Sequence, residues 1–261
     1  MRSKRALILI GLLLATITTS GCLERASYWG SPGIYGSVLL SQGDEILIEV
    51  DFMEGAAPNA EALGQFRKEV EDITGKEVII EYSDQNFTLS GSGEDYDFRM
   101  KGQKMDALAA IKSIGEKFRD HQNGLFPMMD KKQSIYVLYL GGEIVESEGG
   151  VPGMVFSADS ICVFPEVLNS AHFGFIQREE TRKNMETTIL LHEFGHLLSL
   201  ARRSDLREYW AERQGYDNHC SDPDCVMYWQ MSWDGNRYDA YKNGYKHLCE
   251  DCMKELDSYR Y

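Results

Sequence analysis

The sequence predicts an α/β domain: a mixed sheet with backing helices, a buried helix set beneath the sheet, and a cysteine-rich segment closing the chain. Three observations predict it. Short β-rich runs alternate with helical stretches from residue 45 to residue 164, the order that builds layered α/β folds. Residues 187–201, TTILLHEFGHLLSLA, read as a helix that is apolar nearly all round, which a buried position satisfies. Four of the six cysteines lie beyond residue 219.

The N-terminus reads as a targeting segment. Arg2, Lys4 and Arg5 precede the apolar run Ala6–Ala15, and small and hydroxyl residues lead on to Gly21-Cys22, the layout of an export signal over residues 1–21. The fully apolar part is about half the length that spans a bilayer. Thr19-Ser20-Gly21-Cys22 resembles a prokaryotic lipobox, with Thr where Leu is commonest. That resemblance implies cleavage before Cys22 and lipid on its thiol; an uncleaved membrane anchor is the alternative. Either way the protein is expected to be exported and tethered to the outer face of the cell membrane. Residues 22–43 contain Gly, Ser and Pro after the anchor cysteine and read as a linker or loosely docked arm.

Residues 44–261 then read as one domain. Glu45–Phe52 alternates as a strand, Asn59–Ile73 has helical spacing, and Glu77–Tyr82 is again a strand. A second helix runs over Lys104–Asp120, followed by a strand at Ser134–Leu140 and one or two more within Met154–Phe164. The composition, 43% hydrophobic and 26% charged, is that of an ordinary globular protein. The formal charge is −14, and the first 21 residues carry only positive charge, so the remainder is more acidic still. That balance argues against a phosphate-backbone partner such as nucleic acid.

The chemistry concentrates at His192-Glu193-Phe194-Gly195-His196. Positions i and i+4 share one helix face, so His192 and His196 can grip one Zn²⁺. Glu193, one step round, can reach a water activated there, which makes a site for metal-assisted hydrolysis. Hydrogen-bonded core histidines are the plainer alternative. Further on, Cys249-Glu250-Asp251-Cys252 has zinc-knuckle spacing, and Cys220 and Cys225 have four residues between them, a spacing also used for zinc pairs. Four thiolates would close a structural site; in an exported protein, disulfides are the competing reading. Cys162 sits in an apolar run and reads as core. Adjacent side chains on an extended segment point to opposite faces, so His219 can turn to the helix metal while Cys220 turns to the thiolates.

HExxH followed by His219-Cys220, Cys225, Met227 and the Cys249/Cys252 pair resembles the archaemetzincins, within the metzincin clan of zinc peptidases. The match covers Thr187–Cys252, about a quarter of the chain. The resemblance implies a zincin fold with an active-site helix. It also implies a catalytic zinc on His192, His196 and His219, Glu193 as general base, a second zinc on Cys220, Cys225, Cys249 and Cys252, and Met227 as the methionine turn. It further implies a substrate-pairing edge strand within Gly150–Ala158, and a peptide or protein substrate. One departure matters. The usual pattern is HExxHxxGxxH, but Ser199 stands in the Gly place and Arg202 in the third-His place, and His219 comes 17 residues late. The added stretch Arg203–Asn218 reads as a short helix, Asp205–Gln214, ending at Gly215. Glu208, Glu212 and Asp217 are rival third ligands, and would give a gluzincin-like site. A non-catalytic binding lipoprotein on the same fold is a further alternative. Tyr228 is a hydrogen-bond donor or a packing residue; His121, His172 and His247 have no ligand spacing.

Overall fold

The computed structural model describes residues 34–82, 104–121, 131–142, 144–146, 149–170, 179–201, 219–228, 241 and 244–260. A five-stranded sheet has the order β2-β1-β3-β7-β6, formed by β1 (Glu45–Phe52), β2 (Glu77–Tyr82), β3 (Lys132–Tyr139), β6 (Gly153–Ser157) and β7 (Ser160–Val163). The first four in that order run parallel, and β6 alone is antiparallel, paired with β7 through a tight turn at residues 158–159. A separate two-stranded ribbon joins β4 (Ile144–Glu146) to β5 (Gly149–Val151).

Two faces of this sheet are covered. Ile46, Ile48 and Val50 of β1 and Ile135, Val137 and Tyr139 of β3 pack with α2 (Ala60–Thr74) and α5 (Glu179–Leu197). Tyr136, Leu138, Cys162 and Phe164 face the other way, onto Ile111 and Ile114 of α3 (Lys104–Phe118). The expectation of two backing helices beside the buried one is met by helices on opposite sides of the sheet. The short α4 (Pro165–Ser170) links β7 to the segment before α5, and α6 (Glu250–Ser258) closes the chain.

Local chemistry sets the bounds. Asn59 caps α2: its Oδ1 accepts from the amides of Glu61 and Ala62 at 3.0 and 3.1 Å, and Gly75 ends the helix in the left-handed conformation. α5 begins eight residues earlier than its apolar pattern suggests and is buried from Thr181 to Leu197 apart from Arg182 and His196. It stops in a Schellman turn. Ser199 donates to the His196 carbonyl and Leu200 to that of Gly195, both at 3.0 Å, with Ser199 at φ 61°. Ser199 thus takes the backbone conformation usual for a helix-ending glycine.

The stretch expected to be a linker or loose arm contains a helix, α1 (Ile34–Ser41), with Val38, Leu39 and Leu40 buried in the main core. Gly36 lies so close to the Leu198 backbone that a Cβ there would meet the carbonyl oxygen at 2.7 Å. The targeting segment, Cys22, His172 and the inserted Arg203–Asn218 lie outside the described residues. Among the described residues no helix is long and apolar enough to cross a membrane.

Candidate metal centres

His192 and His196 project from the last turns of α5, with their Nε2 atoms 3.1 Å apart. His219 returns to the same place: its ring centroid is 5.2 Å from that of His192 and 4.9 Å from that of His196. One nitrogen from each ring falls within a 4.8 Å group. Two donors about 2.05 Å from a tetrahedral zinc stand roughly 3.3 Å apart, so the α5 pair is close to ligand spacing. Glu208, Glu212 and Asp217 lie outside the described residues, so of the candidate third ligands the structure places His219 alone.

The protonation pattern suits a cation. His192 Nδ1 lies 2.7 Å from the Val226 carbonyl oxygen; an N–H there donates to that oxygen and leaves Nε2 as a bare lone pair aimed at the other rings. Burial, and next the neighbouring His219, pushes the His192 pKa down to about 3, so the ring stays neutral across the ordinary pH range. His192 is buried, whereas His196 and His219 are half-exposed, which leaves the group approachable from their side.

Glu193 is buried on the same helix, beneath the edge strand. A Cβ on Gly153 of β6 would lie 2.6 Å from Ile189 Cγ2 and 3.3 Å from both Cγ and Oε1 of Glu193. Only a glycine lets the strand pass this close. Met227 packs directly under the motif: a Cβ on Gly195 would come to 2.1 Å from its Sδ. The sequence singled out neither glycine. The signal available was a lone glycine inside an otherwise apolar helix, which marks close packing. Tyr228 is buried beside Cys220 in a single β-bridge.

The four C-terminal thiols form a second group, also within 4.8 Å. Cys220 and Cys249 have their sulfurs 3.7 Å apart, as do Cys225 and Cys252. A disulfide brings sulfurs to about 2.0 Å, whereas the edge of a tetrahedral zinc–thiolate site is roughly 3.8 Å. All five cysteines among the described residues are unpaired by disulfides. Cys249 caps α6 and Cys252 lies in its first turn, where the helix dipole favours anions. Backbone amides of Asp222, Met227 and Cys249 each donate to a sulfur at 3.4 Å. Hydrogen bonds from Cys225 and Cys252 hold the Cys220 thiol well below the usual thiol range, while the bond to Cys220 pushes Cys225 up and the bonds to Cys220 and Cys225 push Cys252 up. Four thiols at that spacing, two of them at a helix start, suit a cation. Cys162 is fully buried and stands apart, as expected.

An antiparallel edge strand over a buried HExxH helix, a third histidine beyond it and a methionine beneath define a metzincin-like α/β fold. Among solved structures, the chain superposes on archaemetzincin from Methanopyrus kandleri with a TM-score of 0.53 and 14% identity, over 84% of this chain and 98% of that one. A zinc-dependent peptidase from Methanocorpusculum labreanum aligns at a TM-score of 0.49 and 16% identity, over 81% of this chain and 99% of that one. No family model and no curated protein matches the sequence. The chain is archaemetzincin-like in fold and divergent in sequence.

Proposed function

We propose that the protein is an exported, membrane-tethered zinc metallopeptidase. The observation that carries this reading is the convergence of three imidazoles, two of them on the buried helix that also bears Glu193, under a sheet edge. His192, His196 and His219 would hold the catalytic zinc; Cys220, Cys225, Cys249 and Cys252 would hold a second, structural one. When bound, the catalytic metal supplies Lewis acidity, lowering a water's pKa toward ~7 and countering charge on the scissile carbonyl oxygen.

The chain's own residues do the rest. Among the described residues β6 ends the sheet, and its outer edge offers main-chain groups to an extended peptide. Glu193, held under Gly153, takes the proton from the attacking water and passes it to the leaving amine. The Val226 carbonyl keeps His192 in the tautomer that presents Nε2. Export and tethering rest on the N-terminal sequence, with Cys22 as lipid acceptor. The test is Glu193→Gln: zinc content should stay at the wild-type level while peptide turnover falls by roughly 10²–10⁴. Undiminished turnover refutes the assignment. For the tether, Cys22→Ser should move the protein from the membrane fraction to the soluble one.

A further inference from the structure

The segment His219–Tyr228 contains no helix or strand, only one β-bridge, yet it fixes two of the three imidazoles. It supplies His219 directly and supplies the Val226 carbonyl that orients His192. Its shape is dictated by sulfur. Cys220 and Cys225 anchor its two ends in the thiol group, and amides of Asp222 and Met227 point at their sulfurs. The amide of Cys220 donates to the Met227 carbonyl at 2.8 Å and closes the loop on itself. The amide of Val226 donates to the His247 carbonyl at 2.8 Å, tying the loop to the strand of chain that leads into Cys249.

We propose that the four-cysteine centre is a positioning device for the histidine centre, so that filling one raises the other's affinity for metal. Cys220 and Cys225 act through their neighbours. Each is covalently next to a group that serves the histidines: Cys220 to His219, Cys225 to Val226. With the thiols unligated, no metal holds Cys220 and Cys225 to Cys249 and Cys252. The loop then loses the cross-link that indexes the His219 ring and the Val226 oxygen to α5. A hydrogen bond that orients a metal-bound histidine is worth roughly 10–100-fold in metal affinity, and the coupling should be of that size. Linkage requires it to be reciprocal. This inference rests on reading both groups as metal sites but not on peptide hydrolysis.

Cobalt(II) tests it on the full-length protein, because tetrathiolate and trisimidazole cobalt absorb differently. Cys252→Ser removes a thiol on α6, outside the loop. The wild type should fill both centres, and the variant should bind cobalt at the histidines roughly 10–100-fold more weakly in a chelator competition. The conservative Cys252→His, a nitrogen donor zinc sites accept, should recover much of that affinity. His196→Ala, on α5 away from the loop, is the reciprocal arm: the thiolate signal should yield to the competitor at lower concentration than in wild type. Unchanged histidine-site affinity in a folded Cys252→Ser protein, judged by its circular dichroism, overturns the coupling. If that variant fails to fold, unchanged thiolate affinity in His196→Ala overturns it instead. A wild type that takes up no cobalt at the histidines overturns the coupling and the peptidase reading together, whereas two filled but independent centres overturn the coupling alone.

Discussion

Replacing Gly195 by Ala adds a single methyl inside the motif, and its consequence can be worked from the packing beneath it. Helix propensity alone favours the change by about 1 kcal/mol. The methyl, however, arrives 2.1 Å from Met227 Sδ and 3.1 Å from its Cε, where carbon contacts settle near 3.5–4.0 Å. The sulfur must retreat by roughly 1.5 Å. Met227 is fully buried, its carbonyl bonded to the Cys220 amide at 2.8 Å and its amide aimed at Cys225 Sγ. Overpacking costs about 1–3 kcal/mol, and a pinned backbone puts this site at the upper end. The net loss is about 2 kcal/mol, a fall in melting temperature of roughly 4–8 °C for a domain of this size. Because Val226 precedes Met227, the same displacement should draw the acceptor away from His192 and weaken metal binding. Thermal unfolding of Gly195→Ala, Met227→Ala and the double variant measures it. The double variant should show a coupling of about 1–3 kcal/mol, since the truncated side chain makes room for the methyl. A Gly195→Ala protein that melts higher, or effects that simply add, would refute the reasoning.

Ser199→Gly removes the cost of a left-handed non-glycine residue at φ 61° and should stabilise the protein by about 1 kcal/mol in urea titrations. Glu186 is fully buried on α5; its Oε1 accepts from the Asn59 amide and the Tyr139 hydroxyl at 2.9 and 3.0 Å, and its Oε2 has no partner among the described residues. Burial, partly offset by those two bonds and by Arg182, raises its pKa to about 7. A carboxyl whose folded pKa lies above its unfolded value binds more protons when folded, so stability should fall as pH rises from about 4.5 to 7, by on the order of 3 kcal/mol. Glu186→Gln should flatten that slope; an unchanged pH profile of unfolding counts against the assignment. Stripping metal with a chelator should lower the melting temperature, since a site filled at 100 times its Kd contributes about 2.7 kcal/mol. No shift on stripping would mean that neither centre holds metal.

Much of the fold was legible because local signals and burial agree. Asn59 and Gly75 bracket α2 with a side-chain cap and a left-handed exit, both visible as residue types. Spacing brought out the His192/His196 and Cys249/Cys252 pairs, while His219 came from its place beside Cys220 and from the resemblance; the structure brings these residues into two groups. What escaped was decided by tertiary partners. The first turns of α5, EETRKNME, look solvated, yet Lys183 bonds Glu61 and Glu180, Asn184 reaches the Tyr241 carbonyl, and Glu186 holds Asn59. Glu49 and Asp51 alternate with apolar residues as if β1 had a wet face. They are buried instead, one accepting from the amides of Asp120 and His121, the other from the Tyr136 hydroxyl. α1 contains a glycine that reads as a breaker but that the close approach of Leu198 demands. The Val226 carbonyl could not be seen at all, because a backbone oxygen has no letter in the sequence.

The missing side chain at Gly153 has a consequence for how the site spends entropy. Strand and helix are separated by the thickness of one hydrogen, so the Glu193 carboxylate is walled in overhead and has little arc through which to swing. Its rotational freedom is surrendered when the protein folds rather than when a reactant arrives. In the role proposed for it, such a carboxylate would begin each turnover already aligned.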